Sequence, residues 1–299
     1  MTLLSRIQSI SSHLQGKIST KPIISFIGGG NMTEAILAGL HSTGYPSTNL
    51  RYSEPSEERR VYMQSKYPDF SSTADNLIAA EGANIVILSV KPQVLKSVVT
   101  SMASLFNKDP SILLVSIAAG ITTSDINKWI NSKHPVSIVR CMPNTPALIG
   151  EGAVGLYATH AVNNEQRELT ESIMKSIAKQ ISWITDESHM DTVTAISGSG
   201  PAYFFLMMEA MENAAVEAGL SRDVAKALVM QTCLGAARMA QESQDDLATL
   251  RKKVTSPKGT TEAAIQSLES NQFKKIISNA VFAARDRGKE LAEQLGKEA

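Results

Sequence analysis

Up to about residue 185 the chain alternates short apolar, β-branched runs with longer stretches of helical periodicity. Ile23-Ile24-Ser25-Phe26-Ile27, Asn49-Leu50-Arg51-Tyr52-Ser53-Glu54, Asn84-Ile85-Val86-Ile87-Leu88-Ser89-Val90, Ile112-Leu113-Leu114-Val115-Ser116-Ile117 and Val136-Ser137-Ile138-Val139-Arg140 read as strands. Runs so continuously apolar suit a parallel sheet covered on both faces. Between the first two, Ala35, Ile36, Ala38, Gly39 and Leu40 fall at the spacing of a helix packed on a sheet. Beyond residue 185 the strand-like runs stop. Met207, Met208, Ala210, Met211, Ala214, Ala215 and Ala218 begin an Ala- and Met-rich region of successive helices, broken at Gly219-Leu220-Ser221 and again between Val254 and Thr261. No internal repeat or low-complexity linker separates the halves, so they are expected to pack closely.

The first strand runs straight into Gly28-Gly29-Gly30-Asn31-Met32. An apolar strand ending in Gly-x-Gly lets the chain turn tightly, brings bare backbone against a pyrophosphate and aims the next helix's N-terminus at the charge. Ile27 to Met32 are therefore candidate dinucleotide contacts. The plainer reading is a structural turn, since the third small position of the fingerprint holds Thr33. Glu54, at the end of the second strand, lies close to the distance at which an acid meets the adenosine ribose. Its carboxylate favours NADH, yet Ser53, Arg59 and Arg60 are near enough to offer donors to the 2′-phosphate of NADPH. Alternatively, Glu54, Glu57, Glu58, Arg59 and Arg60 are a solvated helix start. The pattern predicts an α/β Rossmann domain with a mainly parallel sheet over residues 21–185, followed by an all-α domain over 186–299.

At 299 residues there is room for two domains, and 43% hydrophobic with 19% charged content is that of a soluble globular protein. The formal charge is zero, which argues against a nucleic-acid partner. Two cysteines far apart, Cys141 and Cys233, suggest neither a disulfide framework nor a thiolate metal cluster and point to a reducing, cytoplasmic location. The five histidines lack ligand-like spacing, so no metal is expected. No apolar run approaches the roughly 20 residues that span a bilayer. Residues 1–20 carry Leu3, Leu4, Ile7, Ile10 and Leu14 at helical spacing, with Arg6 and Lys17 and no acid before Glu34. That pattern fits a transit peptide. A docking helix is preferred, because one arginine is few.

The strand ends carry further chemistry. Val90-Lys91-Pro92, Ala118-Ala119-Gly120 and Met142-Pro143-Asn144-Thr145-Pro146 each follow a strand. Ligands of an open α/β sheet bind beyond the carboxyl ends of the strands, so these loops should line one nicotinamide crevice. Individually, the prolines are equally at home ending strands and starting helices. Two more turns lie downstream. Ser197-Gly198-Ser199-Gly200-Pro201 opens an apolar helix, expected to be buried, and Val254-Thr255-Ser256-Pro257-Lys258-Gly259-Thr260-Thr261-Glu262 places hydroxyls and free N–H groups at another helix start. The second arrangement suits a carboxylate, although ordinary N-capping explains either turn.

Taken in order, Phe26 to Met32, Val90-Lys91-Pro92, Ala118-Ala119-Gly120, Met142 to Pro146, Ser197 to Tyr203 and Thr255-Ser256-Pro257 resemble pyrroline-5-carboxylate reductase, from about Lys21 to the C-terminal helices. The resemblance implies a Rossmann domain binding NADPH or NADH, and a helical domain that forms a homodimer by interleaving helices, often within a higher oligomer. It implies reduction of Δ1-pyrroline-5-carboxylate to proline. Asn76 and Val90-Lys91-Pro92 would contact cofactor, while Glu187, Ser256, Gly259, Thr260 and Thr261 would surround the substrate.

Reducing a cyclic imine needs a hydride on carbon and one proton on nitrogen, and no strong base. Thr261 is the expected catalytic residue, its hydroxyl donating the proton or orienting an iminium, with N–H groups from Gly259 to Thr261 on the carboxylate. Apolar walls would come from the helix after Pro201, partly across a dimer interface. Two positions depart from the family pattern. Thr33 replaces alanine or glycine, which is expected to push the first helix off the strand. Lys258 replaces the first of two glycines: if a positive φ is required the lysine strains the loop, and otherwise its ammonium reaches the substrate carboxylate or points to solvent. A β-hydroxyacid-type dehydrogenase shares the two-domain plan, but the lysine base it needs is missing between Ala202 and Gly219. A dinucleotide-sensing protein without catalysis is the third reading.

Overall fold

The computed structural model describes residues 21–297, with side chains to residue 294. The docking helix or transit peptide read at residues 1–20 lies outside the described residues. The described residues form two compact units, one from 21–198 with 284–297, the other Ser199–Ala283. The composition changes earlier, near residue 185.

The first unit holds an eight-stranded sheet in the order β3-β2-β1-β4-β5-β6-β7-β8. Its strands are β1 (Ile24–Ile27), β2 (Leu50–Ser53), β3 (Ser71–Thr73), β4 (Ile85–Leu88), β5 (Leu113–Ser116), β6 (Ile138–Met142), β7 (Gly152–Ala158) and β8 (Ala178–Trp183). Strands β1 to β6 are parallel; β7 runs antiparallel to β6, and β8 parallel to β7. The strand order reverses between β1 and β4, which opens the ligand crevice at the strands' carboxyl ends.

Apolar alternation with period two builds a core on each face. Phe26, Ile85 and Ile87 join one cluster with Ile36, Leu37, Leu40 and Met63, from α1 (Asn31–Ser42) and α2 (Glu57–Lys66). Ile27, Val86 and Leu88 join the other with Leu95, Val99, Met102, Phe106 and Ile126, beneath α4 (Pro92–Lys108) and α5 (Thr123–Ile130). The short α3 (Asn76–Ala80) adds Ala79 and Ala80 to this second face. α6 (Asn164–Lys175) adds Ile173 and Met174 to the first. Capping fixes several of these helices: Thr122 and Asp125 form a reciprocal box on α5, Asn163 and Gln166 another on α6.

After α7 (Met190–Val193) and a π-helical turn at Thr194–Gly198, the second unit is helical: α8 (Gly200–Glu217), α9 (Arg222–Glu242), α10 (Leu247–Lys253), α11 (Thr260–Ser270) and the start of α12 (Phe273–Lys297), whose later part from Ala284 belongs to the first unit. The breaks read at 219–221 and 254–261 are present, although Thr260 and Thr261 already belong to α11, and two more fall between α9 and α10 and between α11 and α12. The apolar opening of α8 is not buried in the single chain. Phe204, Phe205 and Leu206 are 60%, 62% and 67% exposed.

Candidate active site

At the end of β1 the chain turns through Gly28, whose φ of +103° belongs to glycine, and a Cβ there would lie 2.9 Å from the Ser89 carbonyl oxygen. The Gly28 amide donates to Ser53 O (2.9 Å), closing the turn onto β2. Thr33 is fully buried and its hydroxyl donates to Gly28 O at 2.6 Å. Contrary to expectation, the threonine therefore ties the first turn of α1 to the glycine turn. Gly30 caps α1 without a side-chain bond, and the first backbone bond of the helix is Glu34 N to Gly30 O at 3.0 Å. The amides of Asn31, Met32 and Thr33 precede that bond and have no intrahelical acceptor. Space over Gly30 is open: a Cβ there meets nothing within 4 Å.

These residues fit a dinucleotide. The cradle is bare backbone at a helix N-terminus, the chemistry that pyrophosphate requires, and the Ser53 and Ser89 hydroxyls beside it are buried without a protein partner. Within Ile27 to Met32, Ile27 belongs to the core on one face of the sheet, Met32 packs against the core on the other, and Asn31 lines a cleft along α1, so the backbone is what the turn offers a ligand.

Glu54 stands against the turn. Its carboxylate accepts from Gly29 N (Oε2, 2.9 Å) and from Ser56 N (Oε1, 2.9 Å). Arg59 donates from Nε to Gly29 O (2.7 Å) and from Nη2 to Glu34 (2.7 Å), and Arg60 donates to the carbonyls of Glu54 and Pro55. Burial disfavours charge on Glu34, but Lys66 and Arg59 outweigh it and hold the carboxyl below the usual range. A cleft of about 750 Å³ runs along α1 past Asn31, Glu34, Lys66, Leu148, Glu151 and Lys179. It includes none of Gly28 to Gly30, and its carboxylates are already paired, Glu34 with Lys66 and Glu151 with Lys179.

The other strand-end loops lead from the sheet into helices and turns. Lys91 caps α4 with Pro92 in the first turn, Val90 is half-buried, and Ala118 and Ala119 lead to Gly120 at φ +76°. Asn76 opens α3 beside its cap Asp75, half-buried. Asn144 donates to Ser197 O (3.1 Å) and accepts from Ala153 N (3.0 Å), fixing the loop after β6 to the π-helical turn.

Glu187 is held by protein groups. Its carboxylate accepts from Thr123 N (2.7 Å) and Thr123 Oγ1 (2.6 Å) and pairs with Arg140 (3.4 Å), which also meets Asp191 at 3.4 Å. Arg140 is 4% exposed, so its charge depends on these two carboxylates. Sequence reading missed this network of Thr123, Arg140 and Asp191. An arginine ending an apolar strand was the available signal, but its partners lie 47 and 51 residues away.

In the second unit, Gly259 caps α11 with its own amide on Ser256 O (3.0 Å), leaving the amides of Thr260, Thr261 and Glu262 at the helix start. Thr261 is half-buried, Ser256 and Thr260 are exposed, and among the described residues the Thr261 hydroxyl has no hydrogen-bond partner. Lys258 adopts φ +61°, and its amide donates to Glu262 Oε2 at 2.7 Å. The backbone alternative for Lys258 is therefore the one observed.

A doubly wound sheet with a glycine turn at its switch point and a carboxylate at the end of β2 defines a dinucleotide-binding protein joined to a helical unit. Residues 23–120 match the family described as NADP oxidoreductase, coenzyme F420-dependent, and residues 187–291 match the family described as pyrroline-5-carboxylate reductase dimerisation. The chain belongs to the pyrroline-5-carboxylate reductase family. It is 45% identical to pyrroline-5-carboxylate reductase of Pseudomonas aeruginosa over 92% of this chain and 99% of that one, and 39% identical to that of Pisum sativum over 92% and 98%. Among solved structures, a pyrroline-5-carboxylate reductase from Coxiella burnetii is similar with a TM-score of 0.85 and 41% identity, covering 90% of this chain and 98% of that one. The Plasmodium falciparum pyrroline carboxylate reductase with NADP bound has a TM-score of 0.79 and 32% identity, covering 91% and 98%.

Proposed function

We propose that this chain reduces Δ1-pyrroline-5-carboxylate to L-proline at the expense of NADPH or NADH, the last step of proline biosynthesis. The observation that carries the reading is the 45% identity to a named reductase across 92% of the chain, because it spans both units. A glycine turn alone serves many reactions.

Bound nicotinamide supplies the hydride to C5 of the imine. The chain's own groups bind and protonate. The amides at Asn31 to Thr33 hold pyrophosphate, while Val90 to Pro92, Ala118 to Gly120 and Asn76 wall the dinucleotide crevice. At the start of α11, the amides of Thr260 and Thr261 take the substrate carboxylate, with Ser256 beside them. Thr261 Oγ1 donates to the imine nitrogen or orients the iminium, a role for which its unpartnered hydroxyl suits it. Glu187 acts by holding Thr123 and Arg140 behind the cofactor loops.

The working form in this reading is a homodimer built through the helical unit, within a higher oligomer or alone, and its ligands are small molecules, with neither nucleic acid nor membrane as partner. No described helix is long and apolar enough to cross a membrane. Both cysteines are free, which suits the reducing cytoplasm. Reduction of Δ1-pyrroline-5-carboxylate with NADPH and NADH side by side tests the proposal, and absence of proline with both would overturn it.

A further inference from the structure

We infer that Glu54 makes this protein select NADH over NADPH. The two cofactors differ by one phosphate on the adenosine 2′-oxygen. In a sheet of this kind the glycine turn takes the pyrophosphate, and the adenosine ribose esterified to it reaches the carboxyl end of β2. Glu54 stands at that end. Its Oε2 accepts from Gly29 N at 2.9 Å, and the backbones approach so closely that a Cβ on Gly29 would come within 2.9 Å of Glu54 Cβ. Each carboxylate oxygen takes one N–H and retains a lone pair, the acceptor that a ribose hydroxyl requires and a 2′-phosphate cannot use.

The cations that would attract the phosphate are directed elsewhere, and the Ser53 hydroxyl, buried at the β2 end without a protein partner, carries no charge to offset it. Arg59 is fixed on three sides, by Gly29 O, by Glu34 and by the Tyr62 ring 4.8 Å from its guanidinium carbon. Arg60 turns its Nη1 to the carbonyls of Glu54 and Pro55. Lys66 pairs with Glu34 at 2.7 Å. A 2′-phosphate would therefore bring like charge to the Glu54 carboxylate without a free guanidinium to bridge them, whereas a 2′-hydroxyl gains a charge-assisted hydrogen bond.

The inference rests on the reductase reading only for its kinetic arm, so binding is measured first. The full chain and Glu54→Gln are titrated with NADH and with NADPH by nicotinamide fluorescence, and kcat/KM is then compared for both cofactors. The wild type should bind NADH at least about tenfold more tightly. Glu54→Gln, which keeps the size and one acceptor oxygen, should narrow that ratio by about tenfold, mainly through tighter NADPH binding. Equal or tighter NADPH binding by the wild type overturns the inference. So does an unchanged ratio in Glu54→Gln, or an equal loss of both affinities, which would make Glu54 a brace for the turn. Discrimination in binding with no reduction of pyrroline-5-carboxylate would leave this inference standing and remove the reductase reading.

Discussion

At φ +61° Lys258 occupies a region that costs an L residue roughly 1–2 kcal/mol. Its amide bond to Glu262 and the turn closed by Gly259 on Ser256 keep it there. Glycine would remove the strain but lose more entropy on folding, so Lys258→Gly should stabilise the protein by up to about 1 kcal/mol and raise Tm in thermal melts. A lowered Tm would contradict the strain. Because backbone geometry accounts for this residue, it gives no support to a sensor that has lost its reaction. Three residues on, Thr261 presents a hydroxyl free of protein partners. Thr261→Ala should lower kcat by about 10- to 100-fold while leaving dinucleotide affinity unchanged. Steady-state kinetics with a parallel fluorescence titration would show this, and an unaltered kcat would remove Thr261 from proton transfer.

Among the elements, α8 carries the clearest unmet demand. Exposure of 60% at Phe204, 62% at Phe205 and 67% at Leu206, joined by Leu228 and Met230 on α9, far exceeds what scattered surface apolar residues require. A second copy covering these helices accounts for it. Sedimentation should therefore give twice the chain mass or a multiple of that, and Phe204→Glu with Phe205→Glu should shift the protein towards monomer or aggregate; a stable wild-type monomer would refute the arrangement. Strands β1, β4, β5 and β6 were legible as largely apolar runs between turn residues, and β2 as Leu50 and Tyr52 alternating with Arg51 and Ser53. β3 is three polar residues, β7 is diluted by Gly152 and Gly155, and β8 at the sheet edge is interrupted by the adjacent Lys179 and Gln180, so pattern alone did not distinguish them from loops. The apolar start of α8 was legible as helix but misread as buried, since sequence does not say whether its cover comes from the same chain.

For the molecule as a whole, the site residues of the first unit answer to two separate kinds of signal. The dinucleotide cradle is local: strand, glycine turn and helix are adjacent in sequence, and the backbone alone makes the site. The groups around Arg140 are not. Glu187 and Asp191 pair with it from 47 and 51 residues away and Thr123 joins through Glu187, and such pairings leave no periodic trace in a single sequence. Glu187, implied as a substrate contact, is engaged with Thr123 and Arg140, a role visible only once the chain is folded. The absence of lysine between Ala202 and Gly219 still weighs against alcohol oxidation, and membership of the pyrroline-5-carboxylate reductase family points the chemistry towards an imine. The most direct measurement supplies the purified full chain with Δ1-pyrroline-5-carboxylate and NADH or NADPH, following nicotinamide absorbance and identifying the product. One proline formed per nicotinamide oxidised is the predicted result; tight dinucleotide binding without turnover with either cofactor would contradict the account.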